Sequence, residues 1–419
     1  MLGGLRRRGL ALALLASSSG LAAQDYPIDP PGDAESATTT VAPPGIALPA
    51  QPELVTPLSI LDRLVVPGTR QQLDWRPAGG ISSGEIASPV IVTRGALAGP
   101  VLCLTAGIHG DEINGVEIVR RLAHAVDPTR LSGTVIGVPI VNVFGYSRGT
   151  RYLPDRRDLN RHFPGSRKGS IASRIANAYF QDIVSHCDML VDFHTGSFER
   201  SNLPQVRADL TNPAVLEFTR GFGATVVLHS PGERGMLRVA ATAVGIPAVT
   251  FEAGAPARLE PAEIAEAVAA IERLMLHFEM REPTDAEGAE LTEVPAMLQA
   301  LEPAPMFLDS RWVRANSGGL LISEVSLGQQ VKAGQRLGRV IDPVRNIERY
   351  IRSPVAGRVI GMAQNQAVLP GYAAFHLGTE TSEQQAVEEA ALPQAPEPVS
   401  EDPAARPETI QADEGEDFE

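Results

Sequence analysis

Four polar side chains stand where apolar, strand-like runs stop. His109 and Glu112 lie in GIHGDE, just after GPVLCLTAG; His194 ends MLVDFH; Glu252 follows AVTF and precedes Ala253 and Gly254. An imidazole and a carboxylate three residues apart, in a turn that enters a helix, can converge on one point. In an open α/β sheet, side chains beyond the carboxyl ends of neighbouring strands face a common crevice, so His194 can join them. Two imidazoles and one carboxylate leave an open position on a tetrahedral zinc ion. This mixed donor set suits zinc better than magnesium or calcium, which prefer oxygen shells. One Zn2+ per chain is therefore expected. The competing reading of His109 and Glu112 is a solvated turn whose acid favours a helix N-terminus. Asp192, two residues before His194 and on the same strand face, is placed to orient that imidazole or to act as a buried ion-pair partner. Glu252 is a candidate general acid/base, passing a proton from water to a leaving nitrogen, or else a structural carboxylate.

The stretch SRGTRYLPDRRDLNRHFPG supplies complementary charge: Arg148, Arg151, Arg156, Arg157 and Arg161, beside Asn160. Guanidinium groups bind carboxylates in bidentate fashion and can stabilise an oxyanion. Position alone does not select which of the five do so. GSFERSNLPQVRADL, after His194, reads as a loop lining a pocket, with Arg200 and Arg207 as possible further anchors.

The elements that must position these groups alternate. Continuous apolar runs at GPVLCLTAG, GTVIGVPIV, CDMLVDFH, ATVVLH and IPAVTFEAG read as strands buried on both faces. Between them, Ile113, Val116, Val119 and Leu122 repeat at helical spacing, and helices are expected over 170–184, near 235–244 and through EPAEIAEAVAAIERLMLHF. Strands alternating with helices over 200 residues imply an α/β sandwich around a mixed, largely parallel sheet. Residues 305–378 differ: they are valine- and glycine-rich without helical period, and they contain an echo. Gly319–Ile322 answers Gly357–Ile360, and Val331-x-x-Gly334 answers Val368-x-x-Gly371. Two half-motifs folding on each other make a small all-β barrel-sandwich domain.

Composition bounds the rest. Arg6–Arg8 ahead of the apolar run Leu10–Ala16, with small residues leading to a cut after Ala22, have the layout of a signal peptide, 1–22. That run is far short of the roughly 20 residues of a membrane span, so export, to a periplasm where one exists, is expected without a stable span. Residues 23–50 read as a flexible linker, 51–300 as the hydrolase domain, 301–379 as the small β domain and 380–419 as an acidic disordered tail. From residue 381 the tail holds twelve acids and one base, and so carries most of the net charge of -14. Nothing in it offers the basic face that nucleic-acid binding needs. Cys103 and Cys187 are either a single disulfide, permitted in an exported protein, or two buried thiols.

With these residues in place, the chain resembles the succinylglutamate desuccinylase/aspartoacylase family, within the zinc carboxypeptidase-like group. GIHGDE resembles its first metal motif, DLNR at 158–161 its substrate motif, VDFHTG the segment of the third ligand, and FEAG that of the acid/base. The resemblance implies metal ligands His109, Glu112 and His194, carboxylate binding by Asn160 and Arg161, and Glu252 as the acid/base. Aspartoacylase-like members carry a further arginine where this chain has Leu153, so Arg151 or Arg157 is expected to hold the oxyanion, with Arg157 taken as the candidate. The implied activity is zinc-dependent hydrolysis of an amide near a carboxylate, on a small acyl amino acid or, alternatively, on short or cell-wall peptides. A binding module that has lost its chemistry is the rival reading. The β domain resembles a biotinyl/lipoyl hammerhead, but IDPVRNIERYIRSP between its halves has no lysine to carry a swinging arm.

Overall fold

The computed structural model describes residues 55–76, 87–197, 199–282 and 304–392. The expected leader and linker, and the tail beyond 392, lie outside these residues. A short hairpin, β1 (Leu58–Ile60) and β2 (Arg63–Val65), leads into β3 (Thr69–Trp75), β4 (Ser88–Arg94) and β5 (Leu97–Thr105). Helix α1 (Ile113–Ala125), β6 (Ser132–Val138), α2 (Val143–Arg148), α3 (Ile171–Asp182) and β7 (Met189–His194) follow. Next come β8 (Arg200–Ala208), α4 (Pro213–Arg220), β9 (Val226–His229), α5 (Leu237–Ala243), β10 (Ala248–Gly254) and α6 (Pro261–His277).

Strands β6, β5, β7 and β10 run parallel in the sheet; beyond β6 lie β4, antiparallel to β6, and β3, antiparallel to β4, and beyond β10 lies antiparallel β8. Their continuous apolar runs are explained by what covers them. Leu102, Leu104, Val191, Phe193, Val249 and Phe251 pack on one face under α1, α4 and α6. Cys103, Leu190, Ile136 and Ala248 pack on the other with residues of α3 and α5. Each large side chain so buried contributes about 1.5–3 kcal/mol. On the second face Cys103 and Cys187 form a disulfide, with Cα atoms 5.7 Å apart, which settles the open choice between bridge and thiols.

The C-terminal part comprises β11 (Met306–Arg314), β12 (Gly319–Ser323), β13 (Gln330–Val331), β14 (Arg336–Asp342), β15 (Ile347–Arg352), β16 (Gly357–Ala363), β17 (Ala367–Val368) and β18 (Ala373–Glu380). The echoed halves interlock: β12 of the first pairs with β17 of the second, and β13 of the first pairs with β16 of the second. Val331 and Val368 enter the same core. These strands are also welded to the α/β layer. β11 pairs with β9, and β16 pairs with both β18 and β8, so β8, β9, β11, β18 and β16 close a five-stranded barrel.

Two expectations change. The segment expected as a pocket loop is strand β8. The expected disordered tail begins with a helix, α7 (Glu383–Ala390), which has a Ser382–Gln385 capping box and buries Ala386 and Ala390 against the main core. Net charge hid a short amphipathic face.

Candidate metal centre and catalytic cleft

His109 lies in the turn between β5 and α1. That turn is pinned by Val141 and Asn142, whose amides donate to the carbonyls of Ala106 and Gly107. Only glycine fits at 110, because a Cβ there would stand 2.0 Å from the Gly145 carbonyl carbon at α2. Glu112 precedes α1 without making a side-chain capping bond, so the helix-cap reading does not hold. Its carboxylate turns inward: Oε1 lies 2.9 Å from His109 Nδ1 and Oε2 2.8 Å from His194 Nδ1. The Thr195 amide donates to Oε2 at 3.1 Å. The two Nδ1 atoms are 3.0 Å apart, and all three side chains are at most 5% exposed.

The outer ring nitrogens explain this arrangement. His109 Nε2 lies 3.0 Å from Asp158 Oδ1, and His194 Nε2 2.8 Å from Asp192 Oδ2. When each Nε2–H donates outward, both Nδ1 lone pairs aim at one point beside a carboxylate. Two Nδ1 lone pairs converging beside a carboxylate suit a bound cation, and two nitrogens with one oxygen fit zinc. Without it, protons take the role. Burial opposes charge on His194, but Asp192 and Glu112 outweigh it and raise its pKa well above the ordinary value. Burial and Arg151 likewise disfavour the His109 cation, and Glu112 and Asp158 overcome them. Burial would raise the Glu112 pKa, yet the two histidines hold it well below the usual carboxylate range.

Glu252 is the lateral neighbour of His194 in the β7–β10 register, so both reach the carboxyl edge of the sheet together. Both line one cavity of about 420 Å³, which also contains His109, Glu112, Arg151, Asn160, Arg161, Arg207 and Arg238. The Glu252 carboxylate is fixed from β8: Asn202 Nδ2 donates to Oε2 at 3.0 Å, and Arg207 Nε lies 3.3 Å from Oε1.

Asn160 and Arg161 reach the cavity with part of their capacity in use. Asn160 Oδ1 accepts from the Leu237 amide at 2.8 Å, and its Nδ2 lies 3.3 Å from His194 Nε2. Arg161 Nε is 3.3 Å from Glu233 Oε2 at the cavity rim. Arg157 is placed elsewhere. Leu153 and Arg157 close a tight turn in which Arg156 takes a positive φ of 63°, and Arg157 leaves the cavity to pair with Asp155 at 3.0 Å. Arg151 occupies the site instead, donating to Glu112 Oε1 at 3.0 Å and Asp158 Oδ2 at 2.8 Å.

Sequence reasoning missed two groups. Asp158 was visible as an acid two residues ahead of Asn160. Arg238 was visible as a cation inside the apolar helix MLRVAATA, where a buried arginine needs a reason. It is 4% exposed and donates to the Ser230 carbonyl and hydroxyl. Burial and Arg207 lower its pKa to about 10.

The α/β layers and the His109–Glu112–His194 cluster define a zinc-dependent hydrolase of the carboxypeptidase-like class. Residues 98–278 match the succinylglutamate desuccinylase/aspartoacylase catalytic domain, and this part of the chain is similar to that family. It is 28% identical over 276 residues to the N-alpha-acetyl-L-2,4-diaminobutyric acid deacetylase of Halomonas elongata, covering 63% of this chain and 76% of the relative. The product-bound ectoine utilization protein EutE of Ruegeria pomeroyi superposes with a TM-score of 0.60 at 25% identity, over 73% of this chain and 93% of that one. An aspartoacylase family protein from Mesorhizobium loti shares the fold with a TM-score of 0.64 at 20% identity, covering 78% and 99%.

Proposed function

We propose that this protein is an exported deacylase that hydrolyses the amide of a small N-acyl amino acid. The observation that carries it is the meeting, in one small cavity, of the metal cluster, Glu252 and two arginines with carboxylate-binding capacity, Arg161 and Arg238. A volume of about 420 Å³ suits an amino-acid-sized ligand. Arg238 is a buried cation that donates to the carbonyl and hydroxyl of Ser230, and a substrate carboxylate would compensate its charge. A zinc ion held by His109, Glu112 and His194 supplies Lewis-acid polarisation of a carbonyl and acidification of water. Glu252 takes the proton of the attacking water and delivers it to the leaving nitrogen as the C–N bond breaks, giving a carboxylate and an amine. Arg151, beside His109 and Glu112, is the guanidinium placed to stabilise the oxyanion. Asn160 Oδ1 is committed to the Leu237 amide, which leaves carboxylate binding chiefly to the arginines.

The named activity of the Halomonas relative supports deacylation of an N-acyl amino acid. Export is supported by the basic-then-apolar leader and by the disulfide, which belongs to oxidising compartments. The test pairs zinc analysis with turnover of N-acyl amino acids and of short peptides. About one zinc per chain is expected, with hydrolysis of the acyl amino acids. Glu252→Gln should keep the metal and lose at least about 100-fold in kcat. Preferential cleavage of peptides would replace this reading by a carboxypeptidase; a metal-free, inactive protein would leave a binding module.

A further inference from the structure

Glu252 is held by Asn202 and Arg207, two side chains of β8, and β8 is the strand that the catalytic sheet shares with the C-terminal barrel. The β10–β8 register is Glu252 to Gln205 and then Gly254 to Asn202, so β8 spends an extra residue at Leu203–Pro204. Such a bulge re-aims the side chain beyond it. Here it brings Asn202, 3% exposed, onto the face of Glu252. The same Asn202 pairs across β8–β16 with Gly361, which in turn pairs with His376 of β18. A Cβ on Gly361 would stand 2.7 Å from Asn202 Oδ1 and 3.1 Å from the His376 Cβ. His376 is buried and stacked on Trp312 of β11, with ring centroids 4.4 Å apart, so it has no room to retreat. A row of contacts thus runs from Glu252 through Asn202 and the bare backbone of Gly361 to a packed aromatic wall.

We propose that Asn202 is a positioning residue for Glu252 and that Gly361 and His376 of the C-terminal barrel form its seat. The barrel thereby sets the aim of the acid/base without touching substrate. This inference rests on the reading of Glu252 as the acid/base. The experiment measures kcat, KM and zinc content for the full chain and for Asn202→Ala, Gly361→Ala, the double variant and Glu252→Gln. Each single β-barrel or β8 change should lower kcat by about 10–100-fold, with KM and zinc content within about twofold of the parent. In the double variant no carboxamide remains to be displaced, so its kcat should equal that of Asn202→Ala rather than show the product of the two losses. The double variant also answers the question if Gly361→Ala alone folds poorly. Parental kcat in Asn202→Ala, or a double variant well below it, would overturn the proposal. An active Glu252→Gln would instead remove the acid/base reading itself.

Discussion

The two Nδ1 atoms facing each other at 3.0 Å make the site a competition between protons and metal. Asp192 and Glu112 outweigh burial and raise the His194 pKa well above its ordinary value, so the zinc-free protein keeps a proton on that ring near neutrality, and zinc uptake should release it. Calorimetric titration in buffers of different ionisation enthalpy measures this; zero proton release at pH 7 would contradict it. Stability follows the same signs. A raised histidine pKa stabilises the fold fully below the unfolded value of about 6.5 and loses that contribution as pH rises through the folded value. The lowered Glu112 pKa does the opposite, its contribution being lost as pH falls through the folded value. Melting temperatures of zinc-free protein should therefore decline as pH rises above neutrality, while zinc-loaded protein is spared. Asp158→Asn and Asp192→Asn should each weaken zinc retention by about 10–100-fold, read by competition with a chelating dye. Arg238→Met should raise KM for an acyl amino acid far more than it lowers kcat. At this scale the sequence shows residue types that end strands, which is why His109, Glu112, His194 and Glu252 were legible. It does not show direction. Arg157 and Arg151 are equivalent in composition, and only the turn around Arg156 turns one out and leaves the other in.

Among the elements, β5 and β7 matter most, because the ligand turns begin where they end. The Cys103–Cys187 bridge ties them together across a sequence separation of 84 residues. Replacing both cysteines by alanine should cost about 2–5 kcal/mol in chemical denaturation. Zinc retention should weaken in parallel, since the two strands carry ligands to one point. An unchanged denaturation midpoint would show the bridge to be dispensable. Helical periodicity over α1, α3 and α6 was readable because each buries one continuous stripe against the sheet. β8 was not readable: its alternating, polar residues serve a cleft on one face, so the pattern resembles a loop. α7 was hidden by its acids, which occupy its solvent face while Ala386 and Ala390 dock.

For the whole molecule, the barrel closed by β8, β9, β11, β16 and β18 makes the C-terminal strands part of the catalytic architecture. Residues 55–282 expressed alone would expose the edges of β8 and β9. That fragment should aggregate or lose its cooperative transition, whereas the intact chain should unfold with its C-terminal strands in a single step. A soluble, active fragment 55–282 would show the barrel to be an appendage. The sequence by itself determined the alternation of strands and helices, the interlocking half-motifs and the donor set, because burial pattern and residue chemistry are local properties. Tertiary structure alone decided which arginine enters the cleft, that the cysteines pair, and that a bulged strand shared with the barrel brings Asn202 and Arg207 to Glu252. Those outcomes depend on side-chain direction and on register between segments far apart in the chain, and local pattern encodes neither.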